Sequence, residues 1–309
     1  MNFSSVLIKR SFSGIKVNSK VEIFKGFFVF LTMSKQCSPG NIAMHSSKDD
    51  MMDKNLRNRG ICLKLHVFMS PADVLAVKPS LNDVYIVIDV IRATTAITTI
   101  FDRNAARVLA ADTVEQAWAA AQKIPGRLLC GERDALPLPG FDYGNSPAQF
   151  SRADLKGREL ILTTTNGSRA FFACPEESIR LAGCFYNAQA MTAYALDRAR
   201  QQEGNIALVC AAEHGYFALD DTVCAGYLAL EIQQQSPAIQ SDESVTAASS
   251  LYQMYAPPKL IEYANSAKQV IAAGLSEDID FCMRQNASTS IARVTGREQE
   301  TGLLILERV

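Results

Sequence analysis

The stretch VYIVIDVIRATTAITTIFDR (84–103) decides the fold, because two kinds of hydrophobic pattern follow each other within it. Its first part, VYIVIDV (84–90), is an apolar run rich in valine and isoleucine. Such a run is typical of a strand that is buried on both faces, as in a parallel sheet. The second part, IRATTAITTIFDR (91–103), has the spacing of a helix. The stretch therefore predicts a strand that leads directly into a helix, with Asp89 close to the junction.

The same alternation continues on both sides of this stretch. Further apolar runs predict strands at 63–69, 107–111, 127–131, 159–164, 179–183, 205–212 and 303–307. Helical patterns follow several of these runs, at 114–123, from Ala170 onward, at 188–202 and at 221–232. The alternation predicts an α/β protein, a three-layer α/β/α sandwich with a largely parallel or mixed central sheet. An eight-fold α/β barrel is the weaker alternative, because several strands lack an obvious following helix.

Charge divides the chain into two segments. Residues 1–63 carry ten basic and four acidic side chains, whereas the remainder carries 21 basic and 28 acidic ones. The first segment has no sustained period of 2 or 3.6, and a tract rich in serine, asparagine, lysine and aspartate runs from Ser34 to Gly60. We therefore expect residues 1–62 to form a disordered N-terminal extension and residues 63–309 to form the folded α/β domain.

Composition and missing motifs exclude several classes of function. The net charge of −1 argues against a protein that binds nucleic acid by bulk charge. No apolar run approaches the roughly 18 residues of a membrane span, so no membrane partner is expected. The eight cysteines include no C-x-x-C pair, which favours a reducing, cytoplasmic location. The sequence also lacks the glycine-rich fingerprints of dinucleotide-binding and P-loop proteins.

Polar residues follow the predicted strands, where ligands of open α/β sheets bind. At the end of the predicted strand at 84–90, Asp89 is a candidate metal ligand or nucleophile. Arg92, just after the strand, is a candidate partner for a phosphate or carboxylate. Thr94 and Thr95 add hydroxyl groups in the first turn of the helix. The alternative is structural: Asp89 caps this helix and pairs with Arg92.

Two further strand ends offer acidic and anion-binding groups. Glu132 and Arg133 end the strand at 127–131 and lead into a long loop that contains Asn145. After the strand at 159–164, a turn of small residues and a following arginine form a candidate anion cradle, with the residues Thr165, Asn166, Gly167, Ser168 and Arg169. The alternative for this turn is an ordinary helix start that Ser168 caps.

The fourth strand end contributes Glu213 and His214, and Asp220 and Asp221 begin the next helix. Acidic side chains from several strand ends can gather around a hard cation such as Mg²⁺. Acidic residues in a first helical turn are also favourable without any function, so the structural alternative stays open here too.

These segments together resemble a known family. DVIRATTAI (89–97), GERDALPLPGFDYGNSP (131–147), TTNGSRA (164–170), Asn187 and LDDTVCAG (219–226) are similar to the motifs of the 2-phosphosulfolactate phosphatase (ComB-like) family, in order and at compatible spacing. The resemblance implies an α/β/α phosphatase that requires Mg²⁺. It implies hydrolysis of (2R)-O-phospho-3-sulfolactate to 3-sulfolactate and phosphate, a reaction of coenzyme M biosynthesis.

With this resemblance, we expect the catalytic acids to be Asp89, Glu132 and Glu213, and the metal ligands to be Asp89, Glu132 and Asp221. We expect the substrate to be a small phosphate ester that the following residues bind: Arg92, Thr94, Thr95, Arg133, Asn145, Thr165, Asn166, Gly167, Ser168 and Arg169. A homodimer is compatible with this reading. The alternatives are a phosphatase for another small anionic ester, a phosphotransferase without a P-loop, and a non-catalytic anion-binding relative.

Overall fold

The computed structural model describes residues 5–12, 15–22 and 63–309, which fall into two units, 1–59 and 60–309. In the first unit, strand β1 (Ser5–Phe12) pairs antiparallel with strand β2 (Ile15–Glu22). The sequence predicts disorder throughout 1–62, whereas the structure describes this hairpin. The rest of that prediction lies outside the described residues and stays a prediction.

The second unit alternates strands and helices along the chain. Its strands are β3 (Lys64–Phe68), β4 (Val84–Ile88), β5 (Arg107–Ala111), β6 (Leu128–Arg133), β7 (Leu136–Pro137), β8 (Glu159–Thr163), β9 (Ile179–Gly183), β10 (Ile206–Cys210), β11 (Gln240–Ser241), β12 (Ala292–Arg297) and β13 (Leu304–Arg308). Its helices are α1 (Pro71–Val77), α2 (Ala93–Asp102), α3 (Val114–Lys123), α4 (Pro147–Phe150), α5 (Gly167–Ala173), α6 (Ala188–Gln201), α7 (Leu219–Gln235), α8 (Glu243–Tyr255), α9 (Leu260–Tyr263), α10 (Asn265–Ala272) and α11 (Ser276–Cys282).

The strands of the second unit form one mixed sheet in the order β11-β3-β10-β4-β9-β12-β13-β5-β8-β6-β7. Two blocks of this sheet are parallel, β11 to β9 on one side and β5, β8 and β6 on the other. The antiparallel pair β12–β13 lies between the blocks and joins them. Three antiparallel pairings thus separate the blocks, so their strands run in opposite senses along the sheet.

Strand β4 shows why the chain forms three layers. All five of its residues are buried, and alternate side chains point to opposite faces of the sheet. Tyr85 and Val87 pack in one core cluster with Ile97 of α2. Ile86 and Ile88 pack in a different cluster, which includes residues of α6 and α7. Because helices cover both faces of the sheet, the predicted α/β/α sandwich is confirmed.

The last strand lies where the sequence does not place it. The run at 303–307 reads as a closing strand, but β13 lies inside the sheet, between β12 and β5. Strand β12 has no counterpart in the sequence prediction. Among the residues that the structure describes, none of the helices combines the length and the apolar character that crossing a membrane requires.

Candidate active site

The polar segments that follow β4, β6, β8 and β10 line one open cleft. Its volume is about 650 Å³ when counted out to its open mouth. Segments that follow strands of both parallel blocks therefore line the same cleft. The sequence-predicted residues that line the cleft are Asp89, Arg92, Glu132, Asn145, Thr165, Asn166, Glu213 and Asp221.

Asp89 follows β4 and is 8% exposed. Burial raises the pKa of its carboxyl to about 7, and the nearby carboxylates of Glu132 and Asp220 add to this rise. The backbone N–H of Ala93 donates to Oδ1 at 3.1 Å, which favours the charged form but does not offset the burial. The capping contact of the structural alternative is therefore present, but it leaves Asp89 with a pKa close to neutrality.

The first turn of α7 supplies two more buried acids with different surroundings. Both oxygens of Asp221 accept backbone hydrogen bonds, from Val90 at 3.0 Å and from Ala212 at 3.1 Å. Asp221 thus ties the segments after β4 and β10 together. Asp220 accepts a hydrogen bond at 2.6 Å from the hydroxyl of Ser266, and backbone N–H groups at the start of α7 also favour its charged form. Burial raises the pKa of both carboxyls, that of Asp220 to about 6.

Glu132, at the end of β6, accepts hydrogen bonds from the turn that the sequence predicts to be an anion cradle. The backbone N–H and the hydroxyl of Thr165 both donate to its Oε1, at 2.9 and 3.0 Å. The backbone N–H of Ala135 donates to Oε2 at 3.1 Å. The two donors of Thr165 were expected to bind a substrate anion. In the structure they bind the carboxylate of Glu132 instead.

The rest of this turn also differs from the expectation. A Cβ at Gly167 would lie 2.7 Å from Oδ2 of Asp89, so the glycine permits close packing against that carboxylate. The backbone N–H of Ser168 donates to the hydroxyl of Thr164 at 3.1 Å. Arg169 is exposed, and its guanidinium lies 3.8 Å from a carboxylate oxygen of Asp112. Arg169, which the sequence predicts to bind the substrate anion, is not among the residues that line the cleft, and its binding role stays a prediction.

Three other predicted binding residues lie outside the cleft lining. The hydroxyls of Thr94 and Thr95 donate to the carbonyls of Asp89 and Val90, at 2.9 Å each, and both side chains are fully buried. These threonines therefore fix the start of α2. Arg133 donates to the carbonyl of its neighbour Glu132 at 2.6 Å.

The remaining predicted residues do face the cleft. Asn145 is 3% exposed, and its Oδ1 has no hydrogen-bond partner among the described residues. Glu213 is half-buried and accepts a hydrogen bond from Gln269 at 2.7 Å. The backbone N–H of His214 donates to the side chain of Asn166 at 3.1 Å, which links the segments after β10 and β8.

Comparison with known proteins identifies the family. The family model described as 2-phosphosulpholactate phosphatase matches residues 71–297, which include every residue predicted for the site. The chain belongs to this family. It is 34% identical over 225 residues to a probable 2-phosphosulfolactate phosphatase of Deinococcus radiodurans, covering 72% of this chain and 92% of the relative. It is 29% identical over 238 residues to one of Clostridium acetobutylicum, covering 76% and 99%. The resemblance inferred from the motifs is confirmed.

The predicted site residues do not include two acidic residues that the structure brings to the site. Asp220 lines the cleft and adjoins the predicted Asp221; the sequence does not show which of the two has oxygens left for a ligand. Asp278 of α11 lies outside the cleft lining, and its Oδ2 accepts a hydrogen bond from Arg92 at 2.8 Å. The structural alternative paired Arg92 with Asp89, so the observed ion pair belongs to a different carboxylate.

The cleft has the chemistry of a site for a hard cation, although no metal position is preformed. Among the described residues, no group of three or more histidine, cysteine or acidic side chains is arranged to hold a metal ion. The available donors are carboxylate oxygens, and Mg²⁺ commonly binds one or two of these and completes its shell with water and phosphate oxygens. Among the described residues, none donates to Oδ2 of Asp89, and the buried carboxylate of Asp220 lies in the same cleft lining. The residues present therefore fit Mg²⁺.

Proposed function

We propose that the protein is a Mg²⁺-dependent phosphatase that hydrolyses (2R)-O-phospho-3-sulfolactate to 3-sulfolactate and phosphate, as in coenzyme M biosynthesis. The observation that carries the proposal is the cleft in which the buried Asp89 and Asp220 lie with Arg92. Support also comes from the family, a family of phosphoric monoester hydrolases, and from the names of the relatives.

Asp89 and Asp220 would hold the metal ion. Each is buried and has a raised pKa, and Oδ2 of Asp89 has no donor among the described residues. Mg²⁺ supplies charge neutralisation at the phosphate oxygens when it is bound. Since desolvation raises the free energy of the two carboxylates, they gain more from a cation than exposed carboxylates would.

Arg92 binds the substrate's anionic groups in this proposal. Its guanidinium is almost completely buried at the wall of the cleft, and two of its five N–H groups are used, by Asp278 and by the carbonyl of Ala135. A buried guanidinium with remaining donors is suited to a phosphate, sulfonate or carboxylate. Asn145 lies beside it and contributes an amide group.

Glu213 receives the proton of the attacking water. Its carboxylate is half-buried at the cleft, and Gln269 fixes one of its oxygens. A general base has to reach both the water and the solvent, and Glu213 is half-buried whereas Asp89, Asp220 and Asp221 are enclosed. Asp89 as a covalent nucleophile is the alternative, and trapping of an aspartyl phosphate at Asp89 by borohydride reduction during turnover distinguishes the two routes.

The test of the function is an assay of the purified protein against a panel of phosphate monoesters. We expect the highest kcat/KM for phosphosulfolactate in the presence of MgCl₂, and no turnover in EDTA. Higher kcat/KM for another anionic ester would assign the second candidate, a phosphatase of different substrate. Phosphate binding without any turnover would identify a non-catalytic relative.

We also place the enzyme in the cytoplasm, as a homodimer. The six cysteines of the described residues are all free and buried, which suits a reducing compartment. Size-exclusion chromatography with light scattering would test the dimer.

A further inference from the structure

A buried carboxylate that does not line the cleft, that of Asp278, forms an ion pair with Arg92. Asp278 of α11 is 1% exposed, and the ion pair with Arg92 at 2.8 Å joins residues that are 186 positions apart in the chain. Its other oxygen, Oδ1, accepts the hydroxyl of Ser146 at 2.5 Å and the backbone N–H of Ala148 at 3.2 Å. Both oxygens of Asp278 are therefore hydrogen-bonded, and the start of α4 fixes the orientation of its carboxylate.

The contacts of Arg92 determine where its remaining donors point. One terminal nitrogen donates to Asp278, and the other donates to the carbonyl of Ala135 at 2.7 Å. Because a guanidinium is planar and rigid, two such contacts define the plane of the group and leave the other N–H bonds for the cleft.

A second cavity lies beside Arg92, and this gives the Arg92–Asp278 ion pair its importance. A second cavity adjoins the cleft, and Arg92, Ala135 and Asn145 line both of them. Asp278 lies on the side of this second cavity. Packing alone thus leaves room for the side chain of Arg92 to move away from the cleft, and the ion pair is the contact that keeps it there.

We infer that Asp278 is a positioning residue for anion binding, which acts by holding the guanidinium of Arg92 at the cleft. The inference rests on the proposed function for the identity of the anion, a phosphate ester. Asp278 touches no substrate in this arrangement. Its effect on binding is transmitted through Arg92, the residue with which it forms its ion pair.

The neighbouring residue provides a matched control. Glu277 precedes Asp278 in α11 and pairs with Arg152, just beyond α4, so it also connects α11 to the α4 region. This second pair is well exposed, with side-chain exposures of 62% and 63%. An exposed pair contributes little to stability and does not touch Arg92. Glu277→Gln therefore removes an ion pair at the same junction without moving the guanidinium.

The experiment measures binding of inorganic phosphate to the full-length protein by calorimetry in MgCl₂, together with KM and kcat. Asp278→Asn is expected to weaken phosphate binding about tenfold and to raise KM by a similar factor, because a charge-assisted contact is lost. Glu277→Gln is expected to stay within about twofold of the wild type. In an Arg92→Met background, the further change Asp278→Asn should alter binding by less than about twofold.

The double-mutant comparison separates positioning from a general structural role. Equal losses from Asp278→Asn with and without Arg92 would overturn the inference, as would wild-type binding by the single variant. If Asp278→Asn does not fold, Asp278→Glu keeps the charge but shifts it by one methylene group. Weakened phosphate binding by that variant supports positioning, and unchanged binding overturns it.

The proposed function can fail independently. Wild-type protein that binds phosphate but hydrolyses no ester would overturn the function, while the Asp278 comparison would still decide the positioning role. Wild-type protein that turns over ester, with Asp278→Asn indistinguishable from it, would overturn only the inference. Absence of both phosphate binding and turnover would overturn both.

Discussion

Two sets of acidic groups meet in the cleft, and their surroundings differ. The first set, at the start of α7 and after β4, consists of Asp89, Asp220 and Asp221, whose carboxyls have pKa values raised by burial. We call it the buried acid cluster. On the β6 side, Glu132 is just as buried, but three donors from Thr165 and Ala135 hold its two oxygens.

The comparison shows that burial alone does not define a functional acid. A carboxylate with several N–H and O–H partners is satisfied within the protein and supports the structure around it. A buried carboxylate with an oxygen left over gains from a proton or a cation, because either one removes the cost of its charge. We therefore expect Asp89 to matter for activity and Glu132 to matter for stability as well.

The largest expected effect is that of Asp89→Asn on activity. The change is nearly isosteric and removes the charge, so kcat/KM should fall by about 10²–10⁴-fold if Asp89 serves the metal or the chemical step. Thermal stability should change little, since asparagine is also a good capping residue and a buried charge has been removed. Steady-state kinetics and thermal unfolding of the same preparation measure both. Turnover close to that of the wild type would remove Asp89 from the catalytic residues.

Gly167 lies where the two sides of the cleft touch. A Cβ there would lie 2.6 Å from the Cβ of Ala93 and 2.7 Å from Oδ2 of Asp89. Gly167→Ala should therefore lower the free energy of unfolding by about 1–3 kcal/mol and also reduce activity, because it displaces Asp89. Gly296→Ala is the control, since a Cβ at Gly296 meets no atom within 4 Å. Equal melting temperatures for the two variants would contradict the tight contact.

Glu132→Gln should reduce stability more, and activity less, than Asp89→Asn does. The side-chain NH₂ of glutamine would face a backbone N–H, of Thr165 or Ala135, that now donates to Glu132. Two donors would then oppose each other. We expect a loss of about 1–3 kcal/mol in the free energy of unfolding, with a smaller loss of activity than Asp89→Asn causes. Chemical denaturation of the two variants side by side makes the measurement. A Glu132 variant with wild-type stability would show that the two acids do not differ in this way.

The raised pKa of Asp89 also predicts how pH affects the metal-free protein. In the folded state its pKa is about 7, whereas an unfolded aspartate titrates near about 3.9. Between these values the folded protein binds a proton that the unfolded chain has lost, so stability is lost as the pH rises through this window. The melting temperature in EDTA should therefore fall from pH 5 to pH 8, and less so in Asp89→Asn. Identical pH profiles would exclude Asp89 as the titrating group.

The smallest expected effect is that of removing residues 1–59, most of the segment whose composition predicts disorder. A chain that begins at Gly60 should express, fold and retain its activity. Comparison of kcat/KM and solubility with the full chain tests this. Insoluble shortened protein would show that the first residues have a structural role in the enzyme.

The sequence correctly predicts those strands and helices whose own residues form a continuous apolar pattern. Residues 84–103 read correctly as strand and helix because every residue of β4 and nearly all of α2 are buried, so the apolar pattern is continuous. Strand β12 could not be predicted in this way. Its sequence ARVTGR mixes charged residues and a glycine, and it is a strand because β9 and β13 pair with it.

The candidate site shows the same limit. Residues at strand ends, such as Asp89 and Glu132, could be predicted because topology brings strand ends together. Arg169 could not be placed, since the direction of its side chain depends on how α5 starts. Asp278 is one of several acids in α11, and only its distant contact with Arg92 distinguishes it from Glu277.

The pair β12–β13 sets the order in which the sheet can be completed. These strands fill the gap between β9 and β5. As long as residues 292–308 are unpaired, the strands that flank the gap keep open edges, which are exposed to pairing with other chains. The two parallel blocks, each of which carries one side of the cleft, therefore become one sheet only when this pair is in place.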